Sequence, residues 1–184
     1  MKNIDQLIEA LGLEQQLTLE EIPKIDLYMD QVIQLFERKF DAAKRNEQDK
    51  VLTKTMINNY AKGKLLFPIK NKKYSREHLI LISLIYQLKG SLSISDIKAT
   101  LENINEKLIQ EDFQIDTFYN NYLQLVTKNV EDFKDNIKEQ FEVVGNLENK
   151  EKDDTVLLIA SLAHMSNLYR KAAEKLVDEI SDQA

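Results

Sequence analysis

Apolar residues recur at three- and four-residue spacing along most of the chain, which is the signature of amphipathic helices. Ile4, Leu7, Ile8 and Leu11 share one face of a short helix over 4–13. Thr18 is followed three residues later by Glu21, the spacing of a capping box, and Pro23 suits a first turn. A helix is therefore expected from about 25 to 43, with Tyr28, Val32, Leu35, Phe36 and Phe40 inward. The polar stretch 44–50 reads as a linker. Thr53 caps a short helix to about Lys62, and Gly63 suits its end. Residues 65–74, with Pro68 and a run of basic and amide side chains, read as an extended arm or a small β-hairpin. Ser75 caps a helix over about 76–89 that is apolar on most sides and therefore central, with Leu79, Leu81, Ile82, Leu84, Ile85 and Leu88 buried. Gly90 ends it, and Ser93 or Ser95 caps the next helix, to about Ile109.

Two long helices close the pattern. Residues 116–143 carry the stripe Tyr119, Tyr122, Val126, Val130, Phe133, Ile137 and Phe141. Residues 154–181 carry Leu158, Leu162, Met165, Tyr169, Ala172, Leu176 and Ile180. Joined by a polar turn at 146–152, they should pair as an antiparallel hairpin and pack on the rest of the chain or on a second copy. The expected organisation is an N-terminal extension at 1–17, a domain at 18–109 and a hairpin at 110–184 that dimerises or senses. The fold class is all-α.

Composition narrows this. A chain of 184 residues, 43% apolar and 30% charged, can bury a real core. Only four glycines and two prolines favour long helices over many strands. The absence of cysteine excludes disulfides, thiolate metal sites and cysteine nucleophiles. The densest apolar run, Leu79 to Tyr86, is far short of the ~20 residues that a membrane-spanning helix needs. No signal-peptide pattern follows Met1, so a soluble cytoplasmic protein with no membrane association is expected.

Charge is concentrated. Residues 50–77 hold seven lysines, Arg76 and one acid, Glu77, a local charge of +7 in a chain of net charge −6. A duplex phosphate backbone is the commonest partner for such a segment, and a solvated basic loop balancing acidic helices is the competing reading. The order helix, link, short helix, basic hairpin, Ser-capped helix is the plan of a winged helix-turn-helix. Helical period turns Ile57 and Tyr60 inward with Met56 or Ala61, and Lys54, Asn58, Asn59 and Lys62 outward. Asn can pair with adenine, and Lys serves guanine or phosphate.

The run Ile57-Asn58-Asn59-Tyr60, followed at Leu65-Leu66 and Pro68, is similar to the start of MerR-type regulators. Tyr74-Ser75-Arg76-Glu77-His78-Leu79 resembles the end of their wing, and Ser93-Ile94-Ser95-Asp96-Ile97 the segment after it. Asn58 and Asn59 stand where those proteins carry Arg and Tyr, and Lys64 where they carry Gly. A closer resemblance, over about 18–105, is to a bacterial family described as domain of unknown function 1836, through Ile22-Pro23, Leu27 to Val32, Leu52 to Tyr60 and Lys72 to Leu79. The resemblance implies a MerR-like DNA-binding fold with a small β wing. On that reading Lys64, Lys70, Lys72, Lys73 and Arg76 neutralise phosphates, Lys54, Asn58, Asn59 and Lys62 face the groove, and Tyr60 packs the helix with its hydroxyl toward a phosphate.

No Gly-rich phosphate loop or nucleophile elbow is present, so neither enzyme activity nor a cofactor or metal is expected. His78 falls at a helix start beside the wing, where its positive form could meet phosphate, and His164 reads as a packed or edge residue. Tyr119, Tyr122 and Tyr169, with Phe118 and Phe133, line either a small-molecule pocket or plain core. The function expected is that of a homodimeric, sequence-specific regulator of transcription on double-stranded DNA, its effector, if any, unknown. The alternative is a helical adaptor whose basic segment docks an acidic protein.

Overall fold

The structure is a computed structural model that describes residues 4–145 and 154–182. Its elements run α1 (Ile4–Ala10), β1 (Leu27–Tyr28), α2 (Met29–Phe40), α3 (Lys54–Lys62), β2 (Lys73–Tyr74), α4 (Arg76–Leu88), α5 (Ile94–Ile109), α6 (Ile115–Gly145) and α7 (Asp154–Asp182), with a 3-10 turn at Asp41–Ala43. The protein is mostly helical, and its one small sheet among the described residues pairs β1 with β2 antiparallel, Leu27 opposite Tyr74 and Tyr28 opposite Lys73. The turn expected at 146–152 lies outside the described residues.

Helix α4 is the centre. Every residue from His78 to Ile85 is buried, Ile80 and Ser83 as completely as the leucines, and Leu88 is half-buried. A helix apolar on all sides must be covered on all sides. It shares one buried core with Val32, Phe36 and Phe40 of α2, Ile57 and Tyr60 of α3, Leu65 and Leu66, Ile97 and Leu101 of α5, and Ile115 and Tyr119 of α6. The core thus takes in the first turns of α6 as well as the elements between residues 17 and 109.

Tyr119 closes this core. Its ring is fully buried and its hydroxyl donates to the Leu17 carbonyl at 2.7 Å. The phenol has one proton, so Ser83 Oγ, at 2.8 Å, donates to the phenol oxygen. Burial pushes the Tyr119 phenol up to about 12, which keeps it neutral. Three segments far apart in sequence are tied here by two buried hydrogen bonds.

The helix expected from 25 starts later. Thr18 and Glu21 do make the capping contact, Thr18 N–H to Glu21 Oε2 at 2.8 Å, but it closes a turn. Leu27 and Tyr28 are drawn into the strand pairing with β2, so α2 begins at Met29, where Gln31 Oε1 accepts from Tyr28 N–H at 2.8 Å. Tyr28 is accordingly 55% exposed instead of inward, and Leu27 takes the buried place.

The link after α2 is anchored by charge. Glu37 Oε1 accepts from Val51 N–H at 2.9 Å, and Lys89 Nζ donates to the Val51 carbonyl at 3.2 Å. Lys44 bridges Glu37 and Asp41 at 2.7 Å each, and these hydrogen bonds raise its ammonium to about 12. Val51 and Leu52 are thereby held in the core, and Thr53 Oγ1 accepts from Met56 N–H at 3.2 Å to start α3.

Tyr119→Phe should leave the Leu17 carbonyl and Ser83 hydroxyl without their partner and cost about 1–3 kcal/mol. Ser83→Ala keeps the Tyr119–Leu17 bond and should cost less. Urea unfolding of the two variants measures both, and equal losses would contradict the central role given to the phenol.

Candidate nucleic-acid interface

The residues singled out in the basic segment belong to two elements, α3 and the turn before β2. On α3, Ile57 and Tyr60 are buried, Met56 and Ala61 half-buried, and Lys54, Asn58, Asn59 and Lys62 exposed, as the helical period requires. Thr55 lies on the same outer face and was not among the residues expected there. Tyr60 is only 5% exposed, and burial raises its phenol, so its ring serves the core.

The end of α3 is unusual in the residue it uses. Leu65 N–H donates to the Tyr60 carbonyl at 2.9 Å and Lys64 N–H to the Ala61 carbonyl at 3.2 Å, the paired bonds of a Schellman motif. The left-handed position of that motif, normally glycine, is Lys64, at φ 59°. Gly63 precedes it with φ −75° and is needed for space, because a Cβ there would sit 2.9 Å from Leu65 Cδ1 and 3.0 Å from the Asn59 carbonyl.

The second element repeats the device. Lys73 N–H donates to the Lys70 carbonyl at 3.0 Å, closing a turn whose central residues, Asn71 and Lys72, have φ 52° and 58°. Positive φ at both central positions defines a type I′ turn, for which Asn-Gly is the favoured pair. Here Lys72 takes the glycine position. Each left-handed lysine costs about 1 kcal/mol in backbone strain. The arm expected at 65–74 is therefore this tight turn, bridged at Lys70 and Lys73, with its second strand paired to β1.

A groove of about 510 Å³ lies between these parts, lined by Tyr28, Met29, Asp30, Asn58, Ile69, Lys72 and Tyr74. It brings Asn58 of α3 and Lys72 of the turn to one place. Lys54 Nζ meets Asp30 at 2.8 Å, both side chains exposed, and Lys73 Nζ sits 5.2 Å from the centre of the Tyr28 ring. Asn59, Lys62, Lys64 and Lys70 are exposed and do not line this groove. Tyr28, an exposed aromatic beside Lys73, was missed by sequence reasoning, because only the strand pairing turns it outward.

Arg76 stands apart. Its Nε is 3.1 Å from both carboxylate oxygens of Asp116, and its Nη1 donates to the Ile22 carbonyl at 2.9 Å. The guanidinium braces the start of α4 against α6 and the segment before β1.

His78 differs from expectation. It is buried, its ring stacked on Phe67 at 3.8 Å and edge-on to Tyr74. Nδ1 lies 3.2 Å from Ser75 N–H, a group that can only donate, so Nδ1 accepts. Nε2, at 3.2 Å from the Phe67 carbonyl, then carries the proton and donates. Ser75 Oγ also reaches the Glu77 carboxylate. A proton on Nδ1 would set two N–H groups against each other. Burial also lowers the imidazole's proton affinity. His78 is thus a neutral post between the basic turn and α4, and His164 is exposed.

The aromatic residues considered for a pocket do not form one among the described residues: Tyr119 is core, Tyr122 stacks on it at 5.8 Å, and Tyr169 is exposed. No cluster of three or more His, Asp or Glu able to hold a metal occurs among the described residues. No described helix is long and apolar enough to cross a membrane.

A mostly helical domain built round one buried helix, with a basic face on α3 and the turn before β2, is the class that fold and site define. The chain belongs to the family described as Domain of unknown function (DUF1836), whose model matches residues 17–122. That span coincides with the core, which begins at Leu17 and takes in Tyr119 with Tyr122 packed against it. No curated protein and no solved structure matches the chain.

Because His78 is held neutral in the fold and is free to protonate when unfolded, the unfolded state binds more protons below about pH 6.5. Stability should be level above that pH and fall as the pH drops through the window below it. Thermal melts at pH 7.5 and 5.5 should show the loss in the parent and a smaller loss in His78→Gln. An identical loss in both would remove His78 as its source.

Proposed function

We propose that this chain is a sequence-specific, double-stranded DNA-binding regulator of transcription, a cytoplasmic binding protein and not an enzyme. In this reading α3 is the recognition helix, the turn before β2 is the wing, and the arrangement resembles the winged helix of MerR-type regulators. Lys54, Asn58, Asn59 and Lys62 face the major groove, while Lys64, Lys70, Lys72 and Lys73 neutralise phosphates. Tyr60 packs α3 on the core, and Arg76 braces α4 where the wing joins it.

The observation that carries the reading is the placement of Lys72. A turn that glycine would suit better holds a lysine at its tip, in the same groove as Asn58 on the outer face of α3. Strain kept at one residue is a mark of a functional position. Lys64 adds a second strained lysine in the same basic segment. The strand pairing of β1 with β2 supports the reading as well, since it fixes the turn relative to the helices that flank it.

Phosphate contacts make affinity steeply salt-dependent. A protein making 6–10 of them loses ~10³–10⁵-fold in affinity between about 50 and 200 mM salt. Fluorescence anisotropy on labelled duplexes tiling the upstream region of its own gene, with a scrambled control, should find one tile bound tightly at near-physiological salt. Equally weak binding to every tile would favour the acidic-protein adaptor instead. Lys72→Ala with Lys73→Ala should weaken binding to all sequences and flatten the salt slope, and an unchanged slope would remove the turn from the interface. Lys72→Gly should weaken binding while leaving the protein at least as stable as the parent, because it relieves the left-handed strain.

Asn58→Ala tests base reading separately. It should reduce the preference for the bound tile over scrambled DNA while sparing most non-specific affinity. Equal losses on both duplexes would exclude Asn58 from readout.

A further inference from the structure

One acid stands inside the basic face. Asp30, in the first turn of α2, is the one carboxylate among the described residues that line the groove between α3 and the turn. Its Oδ1 lies 2.8 Å from Nζ of Lys54, the first residue of α3, and the two side chains stay 69% and 65% exposed. An acid in a first turn suits the dipole of its own helix. That role leaves the direction of the carboxylate open, and here it turns across to another helix. An ion pair this exposed adds little to folding. A carboxylate on a surface that meets DNA also repels any phosphate it faces, so its place suits base edges and not the backbone.

The pair has the form of a base-pair edge. Asp30 offers acceptors only and Lys54 donors only, side by side at 2.8 Å. In the major groove a C·G pair shows the cytosine N4 donor beside the guanine O6 acceptor, with the guanine N7 acceptor beyond. N4 and O6 are hydrogen-bonded to each other, at about 2.9 Å, so the two spacings match. The carboxylate accepts from N4 while the ammonium donates to O6 or N7. An A·T pair also sets a donor, adenine N6, beside an acceptor, thymine O4. It then brings the adenine N7 lone pair toward the carboxylate and the thymine methyl toward the ammonium. The reversed pairs, G·C and T·A, set an acceptor against the carboxylate and a donor against the ammonium.

We infer that the Asp30–Lys54 pair is a base-reading element, in which Asp30 accepts from cytosine N4 and Lys54 donates to the guanine of the same C·G pair. Asn58, one turn further along α3 and lining the same groove, is left for a neighbouring base. The inference rests on the DNA-binding reading, and adds to it a residue from α2 and the base pair that this residue selects.

Selection by the full chain from a pool of labelled duplexes with a random core tests it. Fluorescence anisotropy on the selected duplex and on its single-pair substitutions gives the readout. The parent should select a C·G pair whose replacement by A·T, T·A or G·C weakens binding about tenfold. Asp30→Ala should bind all four versions of that pair almost equally while keeping the parent's discrimination elsewhere. Lys54→Ala should relax the same pair. Asp30→Lys with Lys54→Asp restores an ion pair but exchanges donor and acceptor, so it should not regain the C·G preference, which a merely structural pair would regain. Both side chains are exposed, so circular dichroism should show all three variants as helical as the parent. A parent that selects no duplex would overturn the DNA-binding reading and this inference with it. An Asp30→Ala that leaves discrimination unchanged at every pair, single variants that relax different pairs, or a charge swap with the parent's preference would each overturn the inference and leave the DNA-binding reading standing.

Discussion

Helix α4 is apolar on every side, and the rest of the fold follows from the need to cover it. One helix can shield only part of another's circumference, so α2, α3, α5 and the start of α6 all contribute to the core that encloses residues 78–85. Ser83, which would otherwise be a buried hydroxyl without a partner, is satisfied by Tyr119 of α6, and Tyr119 in turn satisfies the Leu17 carbonyl. The requirement to pair buried polar groups thus fixes which turn of α6 docks and where the chain enters the domain. The span matched by the family, 17–122, starts at one end of this hydrogen-bonded chain and runs just past the other.

The basic segment is placed by the same core. α3 is fastened at its start by the held link around Val51 and at its end by the Leu65 N–H to Tyr60 bond. Asn105 of α5 adds a further tie, its amide donating to the Leu65 carbonyl at 3.1 Å. The turn that follows is fixed by β1, and its root by His78 between Phe67 and Ser75. The lysines therefore project from a frame with little freedom left in it. On the proposed DNA-binding reading this rigidity counts, because charges fixed at the right spacing lose less entropy on binding a regular polyanion.

Most of this was legible where local chemistry decides. The Thr53 cap, the inward Ile57 and Tyr60, the Ser75 and Ser93 helix starts and the central place of residues 79–85 all follow from periodicity and capping, and the structure has them. What could not be read depends on partners distant in sequence. Tyr28 looked like a core position by period, but pairing with Lys73 across 45 residues turns it out. His78 looked like a polar helix start, and only the approach of Phe67 buries it. Arg76 counted as one more positive charge until Asp116, 40 residues on, was seen to hold it. Glycine expectations failed in an instructive way: the left-handed positions at 64 and 72 are filled by lysine, so the turn type could not be inferred from residue preference.

Residues 154–180 show the same distinction between pattern and partner. The stripe at 158–180 is continuous in sequence, and period alone assigns it one role. Yet the domain core ends with the first turns of α6, and beyond it α6 is covered by α1, by the segment around Leu13 and by α7. α6 has used its stripe within the chain, whereas α7 has spent only the first turns of its own. Period alone does not separate the covered Leu158 and Leu162 from the open Tyr169, Leu176 and Ile180; only the packing of the chain does.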